Sequence, residues 1–573
     1  MRCLRFYTVA VAALVPVVPL VGAAGCAPPE GPAITAHTLH LPLSGPCPTT
    51  AAGAEFASEV TGLQATITGP GIETPIVADG TANVSVEVPA GIDRIIALFG
   101  LVGGSPAWRG VSRPTEVKAG VETPVEILLA KVADVTCARS TSLEKRVFHT
   151  ATVLDDGNVL VVGGARELVD ASAVCGGCFR KEASASSSAS LYNPQTGVFT
   201  AVGPLTTPRM FHTATKLKDG RVVIAGGTRT ALFHAVEAGL DPFPIDPTAP
   251  LTTVEVYDPS QKAFLPAGAD PGGARIFAAS TTLLTGEALI TGGIPARGNP
   301  RNDLENALST TTVCGGEPLS CQVGPPLARP RAGHLAFSID PEGVFLWGGS
   351  IDIAGNGFQI EALQVGTSAF ELIEACFMEP TRNLFFAAGA QYTPTRMLAA
   401  GGILRSIDGT FEVALDGDGD GSSVFIFDLA IAREGCSSGI AAGPSGGRLN
   451  LQGRRFLASA AGLPDKQSAV VAGGFNLPAD FNDIGRLVAG QLVELEPADG
   501  LDYYLEGDPL IVQPLEVGGT ARTLREPRAG LTATAIGDGT ILFVGGLGAE
   551  GALETAEVFA DPETPSQAAG VTP

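Results

Sequence analysis

The stretch Arg146-Val147-Phe148-His149-Thr150-Ala151-Thr152, which leads to Gly163-Gly164, decides the fold because it recurs along the chain. Its second copy is Arg209-Met210-Phe211-His212-Thr213-Ala214-Thr215, which leads to Gly226-Gly227. In both copies an Asp-Gly pair, such as Asp156-Gly157, is followed after one residue by four apolar residues. Because Asp-Gly favours a two-residue turn with positive φ angles, each copy predicts a β-hairpin that ends in Gly-Gly.

The same frame of an arginine followed by a glycine pair occurs seven times. The step from the arginine to the first glycine is 17 residues in five copies, 19 in the fifth and 18 in the sixth. The pairs are Arg146 and Gly163, Arg209 and Gly226, Arg275 and Gly292, Arg331 and Gly348, Arg382 and Gly401, Arg455 and Gly473, and Arg528 and Gly545. A constant internal period is typical of repeat architectures, so we expect seven units, with six or eight as alternatives.

Two further strands follow the hairpin in the first two copies, around Tyr192-Asn193-Pro194 and Tyr257-Asp258-Pro259. Four strands, a double glycine and a Tyr-Asp-Pro turn resemble the kelch repeat, whose units stack radially into a β-propeller. Phe199 and Phe264 stand where the kelch repeat carries Trp, and copies four to six lack the Tyr-Asp-Pro turn. The resemblance implies an all-β chain with a seven-bladed kelch-type propeller over residues 133–562 and a disordered tail over 563–573.

Ring closure is testable in the sequence. The seventh copy ends after Asp561-Pro562 and has no fourth strand of its own. The segment Asp134–Ala138 precedes the first arginine and could supply that strand. An open ring would leave unpaired strand edges, which are unfavourable, so we expect the N-terminal segment to complete the last blade.

Residues 34–132 precede the repeats and alternate with a period of two, as in Val84, Val86 and Val88. Such alternation, with Gly- and Pro-rich turns between segments, predicts half-buried antiparallel strands in a β-sandwich. The order of segments resembles the prealbumin-like, carboxypeptidase-regulatory-type domains of bacterial surface proteins.

The N-terminus reads as an export signal. Arg2 and Arg5 precede an apolar segment of Phe6–Val21, which is too short to span a membrane comfortably. Ala23-Ala24-Gly25-Cys26 resembles a bacterial lipobox, which implies a signal peptide over 1–25, a lipid on Cys26 and a tether over 26–33. The absence of Asp after Cys26 favours the outer membrane or the cell surface. The alternative is ordinary cleavage, giving a soluble periplasmic or secreted protein.

Ten cysteines are present, and eight remain after Cys3 and Cys26 are set aside. An even number in an oxidising compartment favours disulfides. The candidates are Cys314 with Cys321, Cys175 with Cys178, and a set that pairs among itself, namely Cys47, Cys137, Cys376 and Cys436.

The sharpest ligand-like motif is Asp416-Gly417-Asp418-Gly419-Asp420-Gly421, with carboxylates at alternate positions. It resembles the start of a calcium loop, but position twelve is Phe427 rather than Glu, so a complete EF-hand is excluded. Asp416, Asp418 and Asp420 are therefore a candidate calcium site, and a solvated acidic turn is the alternative. Calcium is the one cofactor that the sequence suggests.

No catalytic residues are predicted. His149, His212 and His334 occupy equivalent repeat positions, so we expect each to hydrogen-bond within its own blade. Galactose-oxidase-like enzymes share a kelch propeller but need two His and two Tyr on copper, and this chain has six Tyr in all and no Tyr-His pair. Sialidase boxes and the His-Glu-x-x-His helix do not occur.

The net charge of −23 makes nucleic acid a poor partner, because an acidic surface repels phosphate. Three functions stay open. The first is an envelope lipoprotein that binds a protein or a carbohydrate through propeller loops. The second is an enzyme with an unrecognised site in the central funnel, and the third is a purely structural envelope component.

Overall fold

Every regular element of the described residues is a β-strand, so the chain is all-β and consists of several sheets whose strands are almost all antiparallel. The computed structural model describes residues 33–40, 59–138, 143–170, 180–234, 245–295, 306–349, 360–373, 383–405, 411–413, 423–429, 449–451, 453, 455–463, 467–476, 496–505, 511–514, 516–517, 520–537 and 539–561.

The first sheet, called the N-terminal sheet, has eight strands and its own hydrophobic core, which includes Leu63, Val84 and Trp108. Only one pair of its strands is parallel, Ala33–His40 with Thr123–Lys131. In spatial order the strands are Ile76–Gly80, Gly62–Thr68, Gly91–Val102, Ser105–Val111, Thr123–Lys131, Ala33–His40 and Asn83–Glu87, with Thr115–Val117 paired to Gly91–Val102.

Seven four-stranded antiparallel sheets follow the arginine–glycine frames, and they are called repeat sheets 1 to 7. Sheets 1 to 3 consist of Thr150–Val153, Val159–Val162, Ala189–Asn193 and Val198–Val202; Thr213–Lys216, Val222–Ala225, Thr253–Asp258 and Ala263–Ala269; and Ala279–Thr282, Ala288–Thr291, Thr311–Gly315 and Ser320–Val323. Sheets 4 to 6 consist of Leu335–Ile339, Gly343–Trp347, Ile360–Gln364 and Glu371–Ile373; Ala388–Gln391, Arg396–Ala400, Ser423–Asp428 and Leu449–Asn450; and Ser459–Leu463, Ser468–Ala472, Leu501–Leu505 and Ile511–Pro514.

Repeat sheet 7 is completed by the N-terminal segment, as the sequence predicted. Its strands are Thr532–Ile536, Thr540–Val544, Ala556–Ala560 and Val135–Cys137. Thr136 lies opposite Val558 in this last pairing, and the amide of Ala138 donates to the carbonyl oxygen of Ala556 over 2.8 Å.

Hydrophobic clusters lie between consecutive repeat sheets, and one lies between sheet 7 and sheet 1. The second strand of sheet 1 shows why such strands are apolar throughout. Leu160 and Val162 pack towards sheet 2, while Val159 and Val161 pack towards sheet 7. Because alternate side chains serve two different interfaces, a continuous apolar run rather than an alternating one is required.

Smaller sheets, most of which include the strand that follows a glycine pair, were not predicted. The largest joins segments of the first two repeats, through pairing of Arg180–Ala185 with Thr230–His234. Their strands are Ala165–Asp170, Arg180–Ala185, Thr230–His234 and Ile245–Pro247; Asn383–Phe385, Ile403–Arg405 and Phe411–Val413; Arg455–Phe456, Phe475–Asn476 and Glu496–Pro497; and the hairpins Glu516–Val517 with Thr520–Ala521 and Leu547–Gly548 with Gly551–Ala552.

The hairpin turn differs from the prediction. The amide of Leu154 donates to the carbonyl oxygen of Asn158 over 2.8 Å, so the loop has three residues rather than two. Of these, only Gly157 has a positive φ, 74°. This is the three-residue hairpin loop that ends in a left-handed glycine, and it explains why Gly follows Asp here.

Candidate functional site

The repeated arginines that the structure describes are buried, and each one binds the first glycine of its own repeat. Among the described residues, six of these guanidinium groups donate to the carbonyl oxygen of the first glycine. The pairs are Arg146 with Gly163, Arg209 with Gly226, Arg275 with Gly292, Arg331 with Gly348, Arg455 with Gly473 and Arg528 with Gly545. The constant spacing thus reflects a hydrogen bond across the hairpin.

The second glycine of each pair joins one repeat sheet to the next. Its amide donates to the carbonyl oxygen of the following repeat's arginine, at distances of 2.7 to 2.9 Å in the six described cases. The pairs are Gly164 with Arg209, Gly227 with Arg275, Gly293 with Arg331, Gly402 with Arg455, Gly474 with Arg528 and Gly546 with Arg146. The last bond links sheet 7 back to sheet 1.

The fifth frame needs a correction. Phe385 pairs with Ile403, eighteen residues on, as Val147 pairs with Ala165 in the first repeat. Leu384 therefore occupies the position that arginine holds elsewhere, 17 residues before Gly401. Arg382, which we assigned from the sequence, lies outside the described residues. The apparent spacing of 19 arose from choosing an arginine that is not equivalent.

Most of the buried arginines are neutralised by a carboxylate that sequence reasoning missed. Arg209 pairs with Glu255 at 2.7 Å, and both side chains are almost completely buried. The other four pairs are Arg275 with Asp270, Arg331 with Glu361, Arg455 with Asp502 and Arg528 with Glu557. In four of the five pairs the signal was present as an acid inside an otherwise apolar third strand, such as Val254-Glu255-Val256, whereas Asp270 follows a fourth strand.

These carboxylates also accept hydrogen bonds from backbone amides of the segment that precedes the arginine. Glu255 accepts hydrogen bonds from the amides of Thr206 and Thr207, and Glu557 accepts from those of Arg525 and Glu526. Desolvation by burial raises the pKa of Glu557 despite its arginine partner. Buried charges of this kind are tolerated only when paired and hydrogen-bonded, so the network is structural.

The three histidines bond to threonines of a neighbouring repeat sheet rather than within their own repeat, which corrects our expectation. The Nε2 atom of His149 lies 3.0 Å from the Thr532 hydroxyl, and that of His212 lies 2.9 Å from the Thr150 hydroxyl. Burial lowers the pKa of His212 and of His334 to about 3, and that of His149 well below its ordinary value. All three rings are therefore neutral at physiological pH.

A ring of residues with positive φ follows the arginine positions. It consists of Phe148, Phe211, Phe277, Gly333, Phe386, Leu457 and Gly530. Their backbones are linked from one sheet to the next by hydrogen bonds of 2.8 to 3.2 Å from Phe211 to Phe148, Gly333 to Phe277, Phe386 to Gly333, Gly530 to Leu457 and Phe148 to Gly530. Neighbouring phenylalanine side chains also contact one another; for example, the aromatic rings of Phe211 and Phe277 have centroids 4.9 Å apart.

A cavity of about 260 Å³ lies where residues of repeat sheets 2 to 6 converge on this ring, and it is called the axial pocket. It is lined by Phe211, His212, Phe277, Ala278, Gly333, His334, Phe386, Ala387, Leu457 and Ala458.

A second cavity of about 570 Å³ lies at the opposite end of the first strands, among the hairpin turns of sheets 1 to 3, and it is called the acidic pocket. Its carboxylates are Asp155, Asp156, Asp219, Asp258 and Glu317. Arg221, on its wall, binds Asp219 at 2.6 Å and Glu317 at 2.8 Å. The hydrogen bond from Arg221 lowers the pKa of Asp219, so this carboxylate is ionised near neutrality.

Other predicted site residues are only partly described. Cys314 and Cys321 form a disulfide, as predicted, and Cys137 is also disulfide-bonded. Cys26, Cys47, Cys175, Cys178, Cys376 and Cys436 lie outside the described residues, as do Asp416, Asp418 and Asp420. Within the part of the chain that the structure describes, no group of three or more His, Cys, Asp or Glu side chains could hold a metal ion.

No helix among the described residues has the length and apolarity needed to cross a membrane. The sequence matches no model of a known protein family. It also matches no curated protein.

Proposed function

We propose that the seven repeat sheets form a closed, kelch-like seven-bladed β-propeller that acts as a binding module of the cell envelope. Three observations support the ring: hydrophobic clusters between consecutive sheets, the bond from Gly546 to Arg146, and the N-terminal strand in sheet 7. A propeller of this kind removes most open strand edges, which favours a rigid scaffold.

The function supported best is recognition of a protein partner whose basic side chains bind in the acidic pocket. The observation that carries this proposal is five carboxylates against one arginine around a 570 Å³ opening. Lys216 pairs with Asp155 at 2.6 Å, whereas Asp156 and Asp258 form no ion pair with any residue that the structure describes. With a net charge of −23, the whole chain adds a long-range field that attracts cations.

Each buried arginine and histidine that the structure describes in the repeats already has a hydrogen-bond partner, which favours binding over catalysis. The buried arginines are bound to carboxylates or carbonyl oxygens, and the buried histidines are neutral and bonded to threonine hydroxyls. Anchoring through a lipid on Cys26 would display the module at the membrane surface. Replacement of Cys26 by Ser should abolish incorporation of a labelled fatty acid in cells, and unchanged labelling would contradict the anchor.

The test of binding uses hexalysine as the probe, titrated calorimetrically into the exported chain. The double variant Asp156→Asn and Asp258→Asn keeps the oxygen acceptors that hold both turns but removes two charges. We expect it to weaken hexalysine binding about tenfold, and we expect salt to weaken binding to the parent chain.

The matched control is the double variant Glu73→Gln and Glu126→Gln, which removes two exposed charges of the N-terminal sheet, outside the acidic pocket. It should bind hexalysine as the parent chain does. If both double variants bound hexalysine equally weakly, the effect would come from the overall charge of the chain and not from the acidic pocket. Saturable binding of neutral oligosaccharides without hexalysine binding would overturn the proposal in favour of a glycan partner.

A further inference from the structure

The strand Ala33–His40 begins at one end of the N-terminal sheet, which is called the tether end. Ala33 lies opposite Glu87 there, and the neighbouring strand on the other side starts at Thr123. Because the remaining strands of this sheet pair antiparallel, three connections between strands share the tether end. They comprise residues 69–75, 88–90 and 118–122.

Exposed apolar side chains concentrate at the tether end. Four large apolar side chains are exposed among the described residues of the N-terminal sheet, and of these only Val102 lies at the opposite end. Ile92 is 62% exposed and Val121 is 52% exposed. Ile92 and Val77 are the second residues of their strands, counted from the tether end, and Val121 lies in the connection 118–122. A single exposed apolar side chain is ordinary, whereas a group at one end of a sheet marks a contact surface.

The exposure of Ile92 follows from an irregularity in its strand. Gly91 and Arg94 pair with the short strand Thr115–Val117, and the register shifts between them. Asp93, within this shift, has a φ of 55°. A β-bulge re-aims the side chains that it contains. Ile92 therefore stays outside the hydrophobic core that later residues of the same strand enter.

A buried arginine fixes the backbone around this bulge. Arg94 is 3% exposed, and its guanidinium donates to backbone carbonyl oxygens of two of the connections. The acceptors are Pro89 at 3.1 Å, Ala90 at 3.3 Å and Pro70. A surface whose backbone is fixed in advance loses little conformational entropy when it binds, so Ile92 is presented ready for contact.

We propose that the tether end rests on a lipid bilayer, with Ile92 and Val121 inserted at the boundary between headgroups and acyl chains. This inference rests on the lipid anchor at Cys26 proposed above. Ala33 lies seven residues after Cys26, so the anchor holds the tether end within about 25 Å of the bilayer. Two apolar side chains bind a bilayer weakly by themselves. At the high local concentration that an anchor provides, weak binding is enough to orient the molecule.

Charged side chains next to the two apolar ones limit the depth of insertion. Asp93 adjoins Ile92 and Glu122 adjoins Val121, and both acids are exposed. Because charged groups are unfavourable in the hydrocarbon core, these carboxylates stay among the headgroups. The apolar side chains then reach only about 5–10 Å into the bilayer, which is the depth that a test has to probe.

The test measures tryptophan fluorescence of the full lipidated chain on phosphatidylcholine vesicles whose acyl chains carry bromine, a quencher, near the headgroup. The two tryptophans of the chain, Trp108 and Trp347, are buried and so are kept away from the bromine. Ile92→Trp adds a third tryptophan at the tether end. We expect brominated vesicles to remove about a third of its emission relative to unbrominated ones, the share of one tryptophan in three.

Val102→Trp is the matched control, at the exposed position of the opposite end, and should lose no emission on brominated vesicles. Adding Val121→Asp to Ile92→Trp should reduce the quenching at least about twofold, because a carboxylate opposes insertion.

Flotation of the chain with the vesicles checks the anchor separately. A chain that floats, but whose Ile92→Trp variant is quenched no more than Val102→Trp, would overturn this inference and leave the anchor and hexalysine binding intact. A chain that does not float would overturn the anchor and this inference together, again without affecting hexalysine binding.

Discussion

The amide N–H of Gly546 donates a hydrogen bond of 2.8 Å to the carbonyl oxygen of Arg146. This bond joins the last repeat to the first in the same way as the other glycine–arginine bonds join consecutive repeats. The neighbouring Gly545 has a φ of 55°, and a Cβ atom on it would lie 2.4 Å from that same Arg146 oxygen. Gly546 itself has a φ of 104°, so the junction requires glycine at both positions.

Gly545→Ala should lower the free energy of unfolding by more than about 2 kcal/mol, because the left-handed backbone and the close carbonyl both disfavour a side chain. Urea denaturation followed by fluorescence measures this change. Gly537→Ala is the matched control, since a Cβ atom there contacts nothing within 4 Å. The hypothesis fails if both variants unfold at the same urea concentration.

Glu255→Gln should destabilise the chain by about 3–5 kcal/mol, because the buried Arg209 guanidinium would keep its charge without a counter-ion. Glu116→Gln breaks the exposed pair with Lys118, whose atoms are 3.6 Å apart, and should change stability by less than about 1 kcal/mol. Thermal and urea unfolding of both variants test the contrast. A similar effect of the two substitutions would show that burial of the pair is unimportant.

The free energy of unfolding should fall as the pH falls below about 6.5. The unfolded chain takes up protons on its histidines near that pH, whereas burial keeps the folded His212 and His334 neutral down to a pKa of about 3. Each such ring contributes a loss of about 1.4 kcal/mol per pH unit in this window. His212→Gln, which can still bond to Thr150, should make the pH dependence shallower by that amount. An unchanged slope between pH 6 and pH 4 would contradict the assignment.

Ala138→Pro should loosen repeat sheet 7, because proline lacks the N–H that donates to the Ala556 carbonyl oxygen. We expect faster hydrogen exchange of the amides in Ala556–Ala560 and a loss of about 3 kcal/mol in stability. Ala138→Gly keeps the N–H and should cost about 1 kcal/mol or less. Equal exchange in the two variants would mean that this strand does not support the sheet.

The repeat frame was predictable because it depends on local chemistry. An arginine that binds a glycine carbonyl across a hairpin must lie a fixed number of residues before that glycine. The seventh repeat lacks a fourth strand in its own sequence, so another segment has to supply it. The strand Val135–Cys137 was found by that reasoning. The frame around Leu384 was misread because the glycine pair, and not the nearest arginine, fixes the register.

The partners that meet over long sequence distances could not be predicted from one sequence. Within its own repeat Arg209 pairs with Glu255, 46 residues further on, and this separation differs from repeat to repeat. The bond from His149 to Thr532 joins residues 383 positions apart. Such pairs depend on which sheets become neighbours, and a repeat pattern describes each unit but not the atoms that meet between units.

The N-terminal strand of repeat sheet 7 has a consequence for the order of events during biosynthesis. Thr136 donates to the carbonyl oxygen of Val558, 422 residues further along the chain. The strand Val135–Cys137 is synthesised long before its partner Ala556–Ala560, so a product truncated before that partner leaves Val135–Cys137 unpaired. Repeat sheet 7 can therefore form only after Ala556–Ala560 has been synthesised, and until then Val135–Cys137 is an unpaired strand that can pair with other chains.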